Sequence, residues 1–206
     1  DVPIAISAFS ADQLQALNVT ETLGLAKLIP NLLAFNNTGL GTANGYYLRA
    51  IGNTESISTF DPPVGTYADD VFISRQNANN LGLFDVDRIE VLRGPQGTLF
   101  GRNATAGAVS VTTRDPNGEA RMKLEAGYGN YDAYRIRATV ETPEIGPFSA
   151  LFTYVRNYRR GSIKNTAAGT VWDRSLSPSN YGKSISPVWL GTQDTHSYFA
   201  AVKFEV

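Results

Sequence analysis

The chain of 206 residues contains no cysteine, which excludes disulfide scaffolds, thiolate metal sites and cysteine nucleophiles. A single histidine, His196, excludes the histidine-rich metal centres as well. Charge is scarce: 18% of residues are Asp, Glu, Lys or Arg, against roughly 25% in an ordinary soluble domain. It is also balanced, with 18 basic and 19 acidic side chains and a net charge of −1. A protein that neutralises nucleic-acid phosphates needs a basic face, so nucleic acid is not an expected partner. No run of about 18 apolar residues occurs, and hence no transmembrane helix is expected. The opening residues DVPIAIS show neither a basic n-region nor a cleavage site, so any secretory leader is expected to have been removed. At 42% hydrophobic residues, the chain is too apolar to be disordered.

What charge there is divides unevenly. Residues 1–118 hold 7 basic and 11 acidic side chains, whereas residues 119–206 hold 11 basic and 8 acidic ones. The turn cluster Arg114-Asp115-Pro116-Asn117-Gly118 marks the change and predicts two domains, 1–118 and 119–206. In the first, residues 2–9 read as a strand. Ser10 and Gln13 form a capping-box pattern that opens a helix over residues 11–17. Thr20 opens a second helix, with Leu23, Ala26 and Leu28-Ile29 at helical spacing and Pro30 as its stop. Residues 36–45, rich in Gly and Asn, read as a surface loop. They lack the Lys-Ser/Thr end of a phosphate loop. A short strand is expected over residues 46–51. The carboxylates Asp61, Asp69, Asp70, Asp85, Asp87 and Glu90 do not have calcium-loop spacing, and adjacent Asp69 and Asp70 point opposite ways on a strand. His196 beside Ser197 is not a triad, because a catalytic triad is assembled by geometry rather than by adjacency. No catalytic constellation or cofactor is expected.

The segment Asp87-Arg88-Ile89-Glu90-Val91-Leu92-Arg93-Gly94-Pro95-Gln96-Gly97-Thr98-Leu99-Phe100-Gly101 has a different character. It predicts a strand with Arg88, Glu90 and Leu92 on one side and Ile89, Val91 and Arg93 on the other, ended by Gly94-Pro95. Small residues follow, Arg102-Asn103-Ala104-Thr105-Ala106-Gly107-Ala108, then a strand over residues 109–113. This run of about 25 residues resembles the signature of the plug domain of TonB-dependent outer-membrane receptors. Val2-Pro3-Ile4, Leu28-Ile29-Pro30, Leu48-Arg49 and residues 67–71 are similar to that plug in the same order. Arg49-Ala50 and Asp69-Asp70 depart from the family's Arg-Gly and Asp-Gly, and each loses a glycine at a turn-like position.

A plug implies that a transmembrane β-barrel follows, whose strands alternate lipid-facing and lumen-facing side chains. Residues 121–129 place Met122, Leu124, Ala126 and Tyr128 opposite Arg121, Lys123 and Glu125. Residues 131–141 place Tyr134, Ile136, Ala138 and Val140 opposite Arg135, Arg137, Thr139 and Glu141. In residues 148–159, Phe148, Ala150, Phe152 and Tyr154 oppose Ser149, Thr153 and Asn157, with Leu151 and Val155 blurring the pattern. The last run sets Tyr198, Ala200, Val202, Phe204 and Val206 against Lys203 and Glu205. Residues 142–147 read as a short periplasmic turn and residues 161–195 as a long extracellular loop. The expected fold is therefore an α+β plug followed by the first four antiparallel strands of a transmembrane β-barrel. By resemblance that barrel has 22 strands, and the chain is a part of it. Met122, Leu124, Ile136, Val140, Phe152 and Val202 are expected to face lipid, with Ile136 at mid-membrane and Thr139 a tolerant lumen position.

The resemblance implies active transport of a scarce extracellular ligand, such as a ferric siderophore, cobalamin or a saccharide, across the bacterial outer membrane. TonB would be the partner, pulling on a TonB box upstream of Asp1, and no enzyme activity is implied. The alternative is a non-transporting adhesin or glycan-binding surface protein that binds through residues 161–195. Ligand contacts are expected in residues 40–47 and 55–63: Tyr46, Tyr47 and Phe60 for stacking, Asn44, Thr59 and Asp61 for polar groups. The lone carboxylate Asp61 suits a sugar or a partly cationic ligand. Arg88, Glu90 and Arg93 of the motif are expected to meet Glu125, Arg135 and Arg137 where plug and barrel touch, since enclosed charges need partners.

Overall fold

The computed structural model describes residues 5–37, 43–54, 60–83, 85–176 and 182–205. It divides into two compact units between Asp115 and Pro116, close to the turn cluster that the composition marks.

In the first unit, strand β1 (Ala5–Ser10) leads directly into helix α1 (Ala11–Ala16). The Ser10 side chain accepts from the Gln13 amide, and the Gln13 side chain accepts from the Ser10 amide at 2.9 Å, which completes the capping box. The second helix is a 3-10 segment, Thr22–Lys27, and opens at Glu21 rather than Thr20. The reason is that Thr22 spends its hydroxyl and amide on the distant segment at Asn79 and Leu81, which fixes the start of the helix. Strands β2 (Leu32–Asn36), β3 (Asn44–Leu48) and β4 (Ile51–Gly52) form one small sheet. A second, five-stranded sheet contains β5 (Val64–Ala68), β6 (Val71–Phe72), β7 (Val86–Arg93) and β8 (Gly107–Thr113), with β1 at its edge. Its order is β1-β7-β8-β5-β6, and only the β5–β8 pair is parallel.

The motif strand β7 alternates as expected, with Ile89 and Val91 fully buried in a core that includes Leu25, Leu48, Val64 and Val109. Leu92, on its other side, is buried too, in a smaller cluster with Tyr67, Ala104 and Ala108. Both faces of this sheet are therefore covered. After β7 a four-residue helix, α2 (Gly97–Phe100), turns the chain back toward β8. Gly107 opens β8 at a φ of 156°, and a Cβ there would lie 2.3 Å from the Leu92 carbonyl and 2.4 Å from the Leu48 side chain. Only glycine fits that position.

The two turns that lack the family's glycine are tight hairpin turns all the same. Arg49 and Ala50 have φ of 52° and 67°, and Asp69 and Asp70 have 47° and 64°. Positive φ at both central positions is the geometry that matches strand twist in a two-residue hairpin. Asp69 is anchored by its carboxylate, which accepts from the Thr113 amide and hydroxyl at 2.7 Å. Ala50 has no such aid.

In the second unit, β9 (Arg121–Gly129), β10 (Ala133–Glu141) and β11 (Phe148–Arg159) form an antiparallel meander, and β16 (Gln193–Phe204) pairs along the free edge of β11. The connection from β11 to β16 is a nested hairpin rather than an unstructured loop. It pairs β12 (Ile163–Lys164) with β15 (Trp189–Leu190), and β13 (Val171–Asp173) with β14 (Lys183–Ile185). The last long strand begins at Gln193, within the expected loop.

Met122, Leu124, Ile136, Val140, Phe152 and Val202 are all exposed on one face. Leu151 and Val155, which blur the sequence pattern, lie with Thr153 on the opposite face and are buried. Two expectations are corrected by the register. Ile136 stands directly opposite Arg156, which is paired with Asp194 at 2.9 Å on the same outward face, so Ile136 belongs near the aromatic and charged rim. Tyr134 and Tyr158 stack there at 5.0 Å. Below this rim lies an apolar band in which Val140 pairs with Met122 and Phe152, and Phe148 and Phe204 close it at 4.9 Å. Aromatic rows at both ends and an apolar band between are the pattern of a lipid-facing barrel wall, with Val140 near its middle. Thr139, in turn, is buried and accepts from the Thr153 hydroxyl at 2.9 Å, so it is not a tolerant position.

Two outcomes follow. Val140→Arg in the full receptor should cost about 2–4 kcal/mol in a bilayer folding assay, and Ile136→Arg and the inward Gly127→Arg about 1 kcal/mol or less. Ala50→Gly should stabilise the β3–β4 hairpin by about 1 kcal/mol, read as slower amide hydrogen exchange over residues 44–52.

Candidate ligand-binding site

The residues singled out for ligand contact fall into two groups. Asn44 and Tyr46 belong to β3, where both side chains are buried. Asn44 exchanges hydrogen bonds with Asn79: its amide donates to the Asn79 side-chain oxygen at 2.7 Å, and Asn79 Nδ2 donates to the Asn44 carbonyl at 2.9 Å. Asn44 Nδ2 also faces the Tyr46 hydroxyl at 2.9 Å, Asn80 Oδ1 at 3.0 Å and Thr22 Oγ1 at 3.2 Å. Burial pushes the Tyr46 phenol up in pKa, with the hydrogen bonds to Thr22 and Asn44 pulling it partly back. Tyr46 therefore stays a neutral phenol. Inside a protein, a connected polar cluster of this kind rigidifies what stands on it, although Asn44 Oδ1 itself has no hydrogen-bond partner. Asn44 and Tyr46 thus build the base of the site and are not available at its surface, which corrects the expectation that both contact ligand.

Tyr47, Phe60 and Asp61 are placed differently. The Tyr47 ring is half-buried, 6.2 Å from the Phe35 ring, and crosses Gly52, where a Cβ would lie 2.4 Å from the ring. Phe60 is 58% exposed. Asp61 pairs with Arg102 at 3.2 Å, and both side chains face solvent. Arg102 offsets the charge of Asp61, which weakens the reason to prefer a cationic ligand. Asn37 Nδ2 donates to the Thr54 carbonyl at 2.6 Å and brings the roots of the two expected ligand loops together. Thr59, with residues 38–42 and 55–59, lies outside the described residues. Arg102 escaped the sequence reading. Its signal was that it is the only charge in the small-residue run after Gly101.

Of the charged residues expected at a plug–barrel contact, Arg88, Glu90, Glu125 and Arg137 have ion-pair partners within their own units. Arg88 is 3.3 Å from Asp87 and 3.8 Å from Glu90. Arg93 sits at the end of β7, opposite Gly107 and Ala5. Glu125 holds Lys123 at 3.0 Å and Arg137 at 3.1 Å, and Arg135 lies on the same face of β10.

A plug-like unit with its motif folded as β7–α2–β8, followed by a sheet with one apolar outer face, defines a class of outer-membrane protein. The family model of the TonB-dependent receptor plug domain matches residues 1–108, and the chain belongs to that family. Among its relatives, the pesticin receptor of Yersinia pestis is 29% identical over 169 residues, covering 81% of this chain and 24% of the receptor. The vitamin B12 transporter BtuB of Vibrio vulnificus is 25% identical over 128 residues, covering 62% of this chain and 20% of the transporter. The chain thus spans about a quarter of the length of the curated relatives it matches. Among solved structures, the ferric yersiniabactin uptake receptor FyuA of Yersinia pestis superposes with a TM-score of 0.77 at 25% identity, over 98% of this chain and 29% of FyuA. The pyoverdine receptor FpvA of Pseudomonas aeruginosa shares the fold, with a TM-score of 0.71 at 15% identity, over 100% of this chain and 26% of FpvA. The protein is an outer-membrane receptor of the TonB-dependent class.

Removing the clasp under the loops should be costly. Asn79→Ala leaves the buried Asn44 amide and carbonyl unpaired and should destabilise the first unit by at least roughly 2 kcal/mol. Asp61→Asn, in an exposed pair, should change stability by less than about 1 kcal/mol. Protease resistance of the receptor measures both.

Proposed function

We propose that the protein actively transports a scarce small ligand (a ferric siderophore, cobalamin or a saccharide) across the bacterial outer membrane. The observation that carries this is the continuity of a plug-family unit with an antiparallel sheet whose outer face is an apolar band between aromatic rows. A barrel wall with a plug supplied by the same chain holds a gated passage rather than an open pore. In this reading the barrel closes on 22 strands. TonB engages a short TonB box upstream of Asp1 and pulls, and the plug rearranges to release the ligand inward. The relatives' names, ferric yersiniabactin uptake and vitamin B12 transport among them, support a small ligand of this kind.

Tyr47, Phe60 and Asp61 are the plug residues we assign to ligand contact, on a base held by Asn44 and Tyr46. Arg88, Glu90 and Arg93 are assigned to the plug side of the plug–barrel contact, with Glu125, Arg135 and Arg137 opposite. No covalent step is needed. One observation favours the second reading, a non-transporting adhesin or glycan-binding surface protein: the nested hairpin exposes Trp172 and Leu176, at 54% and 98%, as a surface-binding loop would.

Uptake by cells carrying the complete receptor, tested against the three ligand classes with and without TonB, separates the two. Transport predicts accumulation of one class only when TonB is present. Surface binding without TonB-dependent accumulation of any class would establish the adhesin reading instead. In the complete receptor, Phe60→Ala and Tyr47→Ala should each weaken binding of the accumulated ligand at least about tenfold, or 1.4 kcal/mol, at unchanged receptor abundance. Normal binding by both would move recognition away from this corner.

A further inference from the structure

The end of the sheet that carries the nested hairpin holds a second feature. Between the β9–β10 turn and the exit of β11 lies a recess of about 340 Å³, lined by Tyr131, Arg159, Arg160, Ser162, Ile163 and Leu190. Its walls are built by the backbone. Tyr131 and Asp132 both take left-handed φ, 62° and 53°, which turns Tyr131 out of the strand path. The Arg160 amide donates to the Tyr131 carbonyl at 2.9 Å, and the Gly161 amide donates to Thr192 Oγ1 at 3.1 Å. These bonds hold the turn against the root of the hairpin.

The two arginines of the recess have different duties. Arg160 is committed: its guanidinium is bonded to the Asp132 carboxylate and lies 4.2 Å over the Trp189 ring. Asp132 is thereby neutralised. Arg159 projects from the inward face of β11, in register with Gln193, and has no ion-pair partner among the described residues. Beside it stand an exposed phenol ring, Tyr131, at 54%, and the exposed aliphatic side chains of Ile163 and Leu190. A guanidinium with an uncommitted planar fork, next to an aromatic face and an apolar wall, selects an anionic group attached to a flat ring. Arg135 and Arg137 of β10 lie on the same inward face, with Arg137 paired to Glu125 at 3.1 Å.

We infer that this recess is a ligand subsite that selects anionic, ring-bearing ligands. Arg159 takes the anionic oxygens and Tyr131 stacks on the ring, with Ile163 and Leu190 as the apolar wall. The inference rests on the outward orientation that the proposed function gives this end of the sheet, because a ligand reaches the recess only if this end faces outward. It narrows the ligand to an anion.

The test uses the full-length receptor in detergent and two radioiron probes, ferric catecholate, which is anionic and ring-bearing, and ferric acetohydroxamate, which is neutral and ringless. Equilibrium dialysis should show tighter binding of the catecholate. Arg159→Gln should weaken catecholate binding at least about tenfold, and Arg159→Lys and Tyr131→Ala should weaken it less. Acetohydroxamate binding should be unchanged in all three. Arg159 and Tyr131 are exposed, so these variants keep the fold, and equal receptor yield verifies it. Wild-type binding of the acetohydroxamate as tightly as the catecholate, no catecholate binding at all, or equal catecholate affinity in Arg159→Gln would overturn the inference. Uptake by the same cells with and without TonB separates the two claims. TonB-dependent uptake that is indifferent to Arg159→Gln overturns the subsite and leaves transport standing. Binding that Arg159→Gln abolishes, without TonB-dependent uptake of any ligand, sustains the subsite and refutes transport.

Discussion

A bilayer core offers no water to a backbone amide, so every N–H and C=O of a spanning strand must be paired to its neighbours. That constraint organises the second unit. β9, β10, β11 and β16 pair along nearly their whole lengths, and the pairing fixes which side chains face out. Because side chains alternate with period two, the same register that satisfies the backbone puts Met122, Val140, Phe152 and Val202 on one face, and Lys123, Glu125 and Arg137 on the other. Charge on the outward face occurs where Arg156, Asp194 and His196 satisfy one another beside the tyrosines, at one end of the apolar band. Lipid exposure, rim and inward polar face are thus consequences of one pairing scheme.

The first unit solves a different problem. Its charges are few, and the strands that lead into its loops need a fixed base. The exchange between Asn44 and Asn79, joined by Thr22, Tyr46 and Asn80, ties β3 to the 3-10 segment and to the stretch before β7. This is a polar clasp inside an otherwise apolar core, and its value is that buried amides left unpaired would be expensive. It supports the loop roots that Asn37 and Thr54 join.

Much of this was legible in the sequence, for physical reasons that differ by element. The capping box at Ser10 and Gln13 is a local signal, and the helix it opens ends within a residue of its expected end. The alternation in β9 and β11 is also local, and their bounds agree with the pattern to the residue. Asn44 was read as loop because Asn and Gly signal turns by their own conformational preferences, while it is held in a strand by Asn79, which is 35 residues away. Tyr46 was read in a strand, but its burial depends on that same distant clasp. Ile136 and Thr139 were placed on the right faces, but their depth and burial depend on cross-strand partners, Arg156 and Thr153, that periodicity does not reveal. The Arg159 recess could not have been read at all, because it exists only where the nested hairpin returns to the β9–β10 turn. The Ala50 and Asp70 turns show the opposite case, in which the backbone keeps a hairpin geometry that the local sequence does not favour.

The central claim is that this sheet stands in the outer membrane with the nested hairpin outside and the short β10–β11 turn inside. These 206 residues contain no cysteine, so the direct test needs only that any cysteine elsewhere in the complete receptor be replaced by serine first. Single cysteines placed at Ala167 and at Gly146 in the complete receptor are treated with a membrane-impermeant maleimide on intact cells. Labelling at Ala167 in intact cells, and at Gly146 only after the outer membrane is permeabilised, is the predicted result. Labelling at Gly146 in intact cells, or protection of Ala167 there, would contradict it.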